Sequence, residues 1–336
     1  MIFPLKLVKR VRVRRGPAVL GQPVPTSAAL FLGRHDIYRV DSNTLAVTWV
    51  KHHEYFSPFL VFGDNLLLVG FDEIKALEQA YGETLWSRDS TGGFLWRDQL
   101  LTLEPDAVVI IDPSTGKALN RIELPGRTSV HGFNGDVLLY RKGEVGAAYD
   151  LIERKMLWER PLLEETIRQY QAPGDSMTLA PGSKAFVLTK DSVGFFGCSI
   201  EDGRILWYQK AFVSFDVPFA VDGRVYALTQ GFPTRNEFAK FVCFDELTGE
   251  KIYETEHKEF LAYRPSRPTV HEGHVFFGSD GGFVFAFRLA DGELVWRHRT
   301  TGQTWQPTVF QDRVYVTSDD GHLLVFEGKR SISAKR

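Results

Sequence analysis

Cysteine is nearly absent from this chain, with two residues in 336, Cys198 and Cys243. Each sits in an apolar, strand-like run, Phe195-Phe196-Gly197-Cys198 and Phe241-Val242-Cys243-Phe244. Both are expected as buried free thiols. A zinc site needs more ligands at close spacing, and none is offered. Charge of one sign is also lacking: 40 Lys and Arg stand against 42 Asp and Glu, a formal net charge of −2. No global field therefore steers the molecule onto nucleic acid or anionic lipid. No uninterrupted apolar run is long enough for a membrane-spanning helix. The Gly-x-Ser-x-Gly elbow, the Gly-x-x-x-x-Gly-Lys phosphate loop and the Gly-x-Gly-x-x-Gly fingerprint are all missing.

Residues 1–15, MIFPLKLVKRVRVRR, place their charge after the first apolar residues and interrupt the apolar run at Lys6 and Lys9. A secretory signal has the reverse order. The expected compartment is the cytoplasm.

Aromatic residues are abundant, 26 of them Phe, and with the β-branched residues they point to strands. One pattern returns seven times: a tight polar turn, an apolar pair, then an anchor position. The anchors are Trp49, Trp86, Asn120, Trp158, Trp207, Tyr253 and Trp296, spaced 34 to 49 residues apart. That spacing is the length of a four-stranded propeller blade. In the seventh interval the predicted strands are Arg267–Val270, His274–Gly278, Phe283–Arg288 and Glu293–His298, joined by Glu272-Gly273, Asp280-Gly281-Gly282 and Asp291-Gly292. Asx-Gly pairs supply the positive φ angles that tight hairpins need. After Thr300 come only three strands, at 306–310, 313–318 and 322–326. The alternating Arg10-Val11-Arg12-Val13-Arg14 supplies the missing outer strand, so the N-terminus is expected to close the ring by completing the last blade.

The expectation is an all-β propeller in one domain over 1–330, of eight four-stranded blades, with seven as the alternative count. Residues 1–15 form the closing strand, 16–300 the seven full blades, 301–328 three strands of the last and 331–336 a flexible tail. A helix-like insertion is expected at 162–171 and a second insertion at 230–240.

The repeat Leu-x-x-x-Asp-Gly-x-Leu-x-Trp resembles that of the pyrroloquinoline-quinone-type propellers, a family of quinoprotein dehydrogenases and BamB-like assembly proteins. Residues 275–296, VFFGSDGGFVFAFRLADGELVW, carry the resemblance best, and 313–327, RVYVTSDDGHLLVFE, match its first part. The resemblance implies a bacterial origin and blade-packing roles for Trp49, Trp86, Trp158, Trp207, Tyr253 and Trp296. Quinone-dependent members add an adjacent Cys-Cys pair, a calcium ion and a catalytic Asp. Here the cysteines are far apart, so no catalytic residue carries over.

Candidate ligand or channel residues are Arg97, His131, Asp216, Arg264, Arg267, Trp305 and Gln306, which flank predicted innermost strands. The favoured function is a non-catalytic scaffold binding one or more proteins through blade-connection loops, with Phe232, Trp305 and the Glu164 region exposed. No cofactor, metal or nucleic acid is expected. The alternatives are a redox enzyme holding pyrroloquinoline quinone with calcium, or a BamB-like envelope component whose start is misassigned.

Overall fold

The computed structural model describes residues 3–14, 20–33, 36–53, 56–70, 72–126, 129–142, 145–161, 177–181, 184–190, 194–210, 218–229, 239–257 and 266–328. Every regular element among them is a β-strand, and the strands form eight four-stranded antiparallel sheets. The fold is a β-propeller of eight blades. Seven blades run in chain order, over 24–52, 56–89, 93–123, 129–161, 177–210, 219–257 and 269–299. The eighth takes Thr308–Phe310, Arg313–Ser318 and His322–Glu327 from the C-terminal part and Lys6–Arg12 as its outermost strand. The closing strand is therefore where its alternation placed it. Lys6 stands opposite Glu327 and Arg12 opposite His322. The expected insertion at 162–171 and the tail at 331–336 lie outside the described residues, as do 230–238 of the second insertion.

Two compact units divide the chain. The first holds 1–103, 109–120 and 265–336; the second holds 104–108 and 121–264. In the first unit, the opening strands of blades 7, 8, 1 and 2 lie against one another. In the second, those of blades 4, 5 and 6 do the same. The first strand of each of these blades is thus its inner edge.

Hairpin chemistry explains the blade interior. In blade 7, His271 faces His274 across Glu272 and Gly273, whose φ angles are +44° and +71°. Two residues of positive φ make the hairpin turn that matches strand twist. The next turns follow from Asx residues: Asp41, Asp112 and Asp245 each accept backbone N–H groups two and three residues on, with those to Thr44, Ser114 and Thr248 at 2.8 Å. Hydrogen bonds hold the three carboxyls below the usual carboxylate range by favouring the charged form, led by the Thr44 N–H at Asp41, the Ser114 hydroxyl at Asp112 and the Thr248 N–H at Asp245.

The repeat's apolar pair and aromatic have a common physical cause. Opposite each aromatic anchor the ladder is irregular: Ala286 pairs with Trp296 but Phe287 pairs with Leu294, leaving Val295 as an extra residue. The same one-residue bulge precedes Trp49, Trp86, Trp158, Trp207 and Tyr253. A bulge re-aims the side chain that follows it. It turns five indoles toward the next blade, where each N–H finds a backbone carbonyl: Trp49 on Gln79 (3.2 Å), Trp86 on Pro113 (3.1 Å), Trp158 on Ile200 (2.6 Å), Trp207 on Glu246 (2.8 Å) and Trp296 on Leu5 (2.9 Å). For four of these rings the turn glycine of the following blade is the contact. A Cβ on Gly82, Gly116, Gly203 or Gly249 would stand 2.5–3.1 Å from the preceding tryptophan, and all four have φ between +66° and +71°. Where the anchor is Asn120, the next turn has no glycine and Arg154 takes the positive φ.

Hydrophobic clusters straddle consecutive blades. Trp296 and Phe276 of blade 7 pack with Val314, Leu324 and Phe326 of blade 8 and with Leu5. Leu30, Leu32 and Val40 of blade 1 pack with Tyr315, Leu323 and Val325 of blade 8. Blade-to-blade burial of this kind is the main apolar stabilisation of a stacked array.

Candidate functional site

A set of polar contacts between blades lies at the inner edge of blades 7, 8 and 1. Their segments enter the first strands: 266–268 before Thr269–His271, 304–307 before Thr308–Phe310, and 20–23 before Val24–Pro25. The chain from blade 7 to blade 8 lies directly on Gly278, where a Cβ would come within 2.3 Å of the Trp305 carbonyl oxygen. Thr304 holds that crossing, accepting from the Ser279 N–H at 2.8 Å and donating to Phe283 O at 2.6 Å.

Hydroxyls and amides then link the three blades. The Gln306 side-chain amide donates to Pro268 O at 3.1 Å and to Thr269 Oγ1 at 3.3 Å, while the Thr269 hydroxyl donates to Pro307 O at 2.6 Å. Thr308 donates to Pro23 O at 2.6 Å, Gln22 donates to Thr308 Oγ1 at 3.3 Å, and Thr317 donates to Gly21 O. Prolines at 23, 268 and 307 have no N–H to satisfy, so their carbonyls are the groups that need partners.

Of the residues singled out in the sequence, Gln306 is thus a linker between blades. Arg267 is exposed and immediately precedes Pro268, so its segment and that of Trp305 and Gln306 are laced together. The Trp305 ring is half-buried, and its Nε1 is buried without a hydrogen-bond partner among the described residues. Arg97 lies elsewhere: it is the first residue of the turn leaving Gly93–Trp96, the opening strand of blade 3, with φ +53° and its guanidinium 5.3 Å from the Trp96 ring centroid. His131 lies on the strand Ser129–Asn134. Asp216, Arg264, Phe232 and Glu164 lie outside the described residues.

Other polar clusters serve the closing strand. Asp320 accepts from Ser318 and Thr301 and pairs with Arg10 at 2.9 Å and with His322 at 3.0 Å. Burial pushes its carboxyl up, but the Ser318, Thr301 and His322 hydrogen bonds outweigh this and hold it well below its ordinary value. Asp36 pairs with His52 at 2.9 Å and with Arg14 at 3.0 Å, which lowers its pKa. Burial and the nearby Lys75 depress the half-buried His53. Sequence reasoning missed these pairs, because nothing local connects Arg10 with Asp320 or Arg14 with Asp36.

The adjacent cysteine pair of the quinone-dependent members has no counterpart among the described residues. No three His, Cys, Asp or Glu side chains among them gather as a metal site. Cys198 and Cys243 lie in separate blades, 5 and 6, and burial pushes their thiols up to about 12 and about 11.

Eight four-stranded antiparallel blades, with tryptophans donating to the next blade, define an eight-bladed β-propeller. The family model described as "Outer membrane protein assembly factor BamB" matches residues 72–231 and 237–332, and the chain belongs to that family. Among solved structures, BamB from Moraxella catarrhalis is similar at 15% identity with a TM-score of 0.68, covering 96% of this chain and 100% of that one. The computationally designed Ika8 protein is similar at 13% identity and TM-score 0.70, covering 94% and 98%. A europium-containing methanol dehydrogenase is similar at 12% identity and TM-score 0.65, covering 96% and 93%. At these identities the likeness concerns the fold. No curated protein sequence matches the chain.

Proposed function

We propose that this protein is a non-catalytic scaffold that binds other proteins through the connections and rims of its blades. The observation that carries this reading is the use of the inner-edge polar groups. Gln306, Thr269, Thr308 and Thr317 are engaged in hydrogen bonds from blade to blade, so they act as structural links. Membership in a family described as an assembly factor supports the same reading. The reading includes no cofactor. It keeps the protein in the cytoplasm, which cell fractionation checks.

The test is affinity purification of the full-length protein from its native cells, with mass spectrometry of what accompanies it. Stoichiometric recovery of one or two proteins is the expected result. Recovery of the protein alone with a bound small molecule, or a visible absorption band, overturns the reading in favour of a redox or ligand-sensing function.

A further inference from the structure

The outer strand of blade 8, Lys6–Arg12, is unlike the other outer strands. Its seven residues, KLVKRVR, hold four cations and no carboxylate, and six of the seven are exposed. No other outer strand carries more than two Lys or Arg. Only one edge of the strand is paired, with His322–Glu327, so its far edge presents backbone N–H and C=O groups. Arg10 is tied to Asp320, and the Lys9 ammonium donates to Thr44 O at 3.1 Å. Lys6 and Arg12 are exposed and have no ion-pair partner among the described residues.

The charge continues onto blade 7, whose outer strand Leu294–Arg299 adds exposed Arg297 and Arg299 and also lacks a carboxylate. The two strands are neighbours, since Trp296 donates to Leu5 O and Arg10 to Thr301 Oγ1. Between the cations, Leu7 and Val8 are 41% and 49% exposed.

Lysine and arginine on an edge strand discourage pairing with apolar strands. They do not discourage an acidic one. Alternate residues of a strand share a face, so Arg10, Arg12 and, just past the strand, Arg14 line one side. Arg10 and Arg14 are paired with Asp320 and Asp36, but their side chains stay 43% and 47% exposed. With Arg12 they match carboxylates at every second position of an added strand. Backbone hydrogen bonds supply the affinity of such an addition and the side chains its specificity. The strand has no aromatic on which nucleic-acid bases could stack. We propose that the free edge of Lys6–Arg12 docks an extended acidic segment of a partner protein, with carboxylates at alternate positions, as a fifth strand of blade 8. This rests on the scaffold reading and names the chemistry of one partner.

The test uses the full-length protein and a fluorescein-labelled peptide, Glu-Val-Glu-Val-Glu-Val-Glu, read by fluorescence anisotropy. Binding is expected at low salt and should weaken as salt rises, because exposed charges are screened. The double variant Lys6→Glu, Arg12→Glu should bind about tenfold or more weakly, with an unchanged thermal midpoint showing that the blade still closes. A peptide N-methylated at alternate amides should lose binding. Equal binding by the variant or by the N-methylated peptide overturns the proposal. So does absence of peptide binding accompanied by variant-sensitive sedimentation with phosphatidylserine vesicles, which assigns the charge to a lipid surface. If the peptide fails while the double variant still recovers its native partner, this inference falls and the scaffold stands. If the peptide binds as expected but native purification yields the protein alone, the edge chemistry holds and the scaffold reading falls.

Discussion

Trp207 and Gly249 sit in different blades, yet each decides what the other position tolerates. A Cβ at Gly249 would lie 2.5 Å from the indole, and the residue has φ +66°. Trp207 is buried and donates to Glu246 O, whose carboxylate in turn accepts the Lys184 and Ala185 N–H groups at 2.7 and 2.8 Å. Trp207→Ala should cost about 3–5 kcal/mol in denaturant unfolding. Gly249→Ala should cost more than the roughly 1 kcal/mol of backbone strain alone, and in the Trp207→Ala background only that strain should remain. Additive costs would contradict the contact. The two thiols report burial through pH. Burial raises Cys198 to about 12 and Cys243 to about 11, above their ordinary value of 9.0, so between these limits the folded state holds protons that the unfolded state has released. Their contribution is fully present below about pH 9 and is lost as pH rises toward the folded values. Cys198→Ala should flatten the fall in stability above pH 9, measured by urea unfolding across an alkaline series. An identical slope would place the thiol in contact with solvent.

At the scale of the element, the strand Lys6–Arg12 both closes blade 8 and keeps an open edge. Its inner partners are specific. Leu5 is buried beside Trp296 and Phe326, while Val11 and Val13 pack against the cluster shared by blades 8 and 1. Deleting residues 1–15 should lower the thermal midpoint and shift tryptophan emission to the red, because Trp296 loses its acceptor and gains water. Unchanged unfolding would refute the closure. The strand was legible in the sequence because alternation has a period of two whatever the strand pairs with. Its partners Asp320 and Asp36 were not, being 310 and 22 residues from the arginines they hold. Arg97 shows the converse. Its φ of +53° places it in a turn, over the Trp96 ring, a conformation that the sequence did not announce.

At the scale of the whole molecule, the last blade joins segments from opposite ends of the chain, such as Lys6 and Glu327, 321 residues apart in sequence. Contacts this distant slow folding, because a long loop must close before they stabilise anything. The register Lys6 to Glu327 is that of a hairpin waiting for a connection. A permutant joining residue 336 to residue 1 and opening between 300 and 301 makes blade 8 continuous in sequence. It should show the parent circular dichroism spectrum and refold faster. A slower or misfolded permutant would mean that the segments around residue 300 are needed unbroken.

The sequence by itself determined the strand runs of blade 7 and the tryptophan anchors and narrowed the blade count to eight, with seven as the alternative. Those features rest on short-range physics: a two-residue side-chain period, positive-φ turn residues and a bulge one position before each aromatic. Only the tertiary structure decided that Gln306 links blades through Pro268 and, among the described residues, that the buried Trp305 indole N–H has no partner and that Arg10 has an ion-pair partner while Lys6 and Arg12 do not. Each depends on which carbonyl or carboxylate another blade brings within about 3 Å, a distance no local pattern encodes.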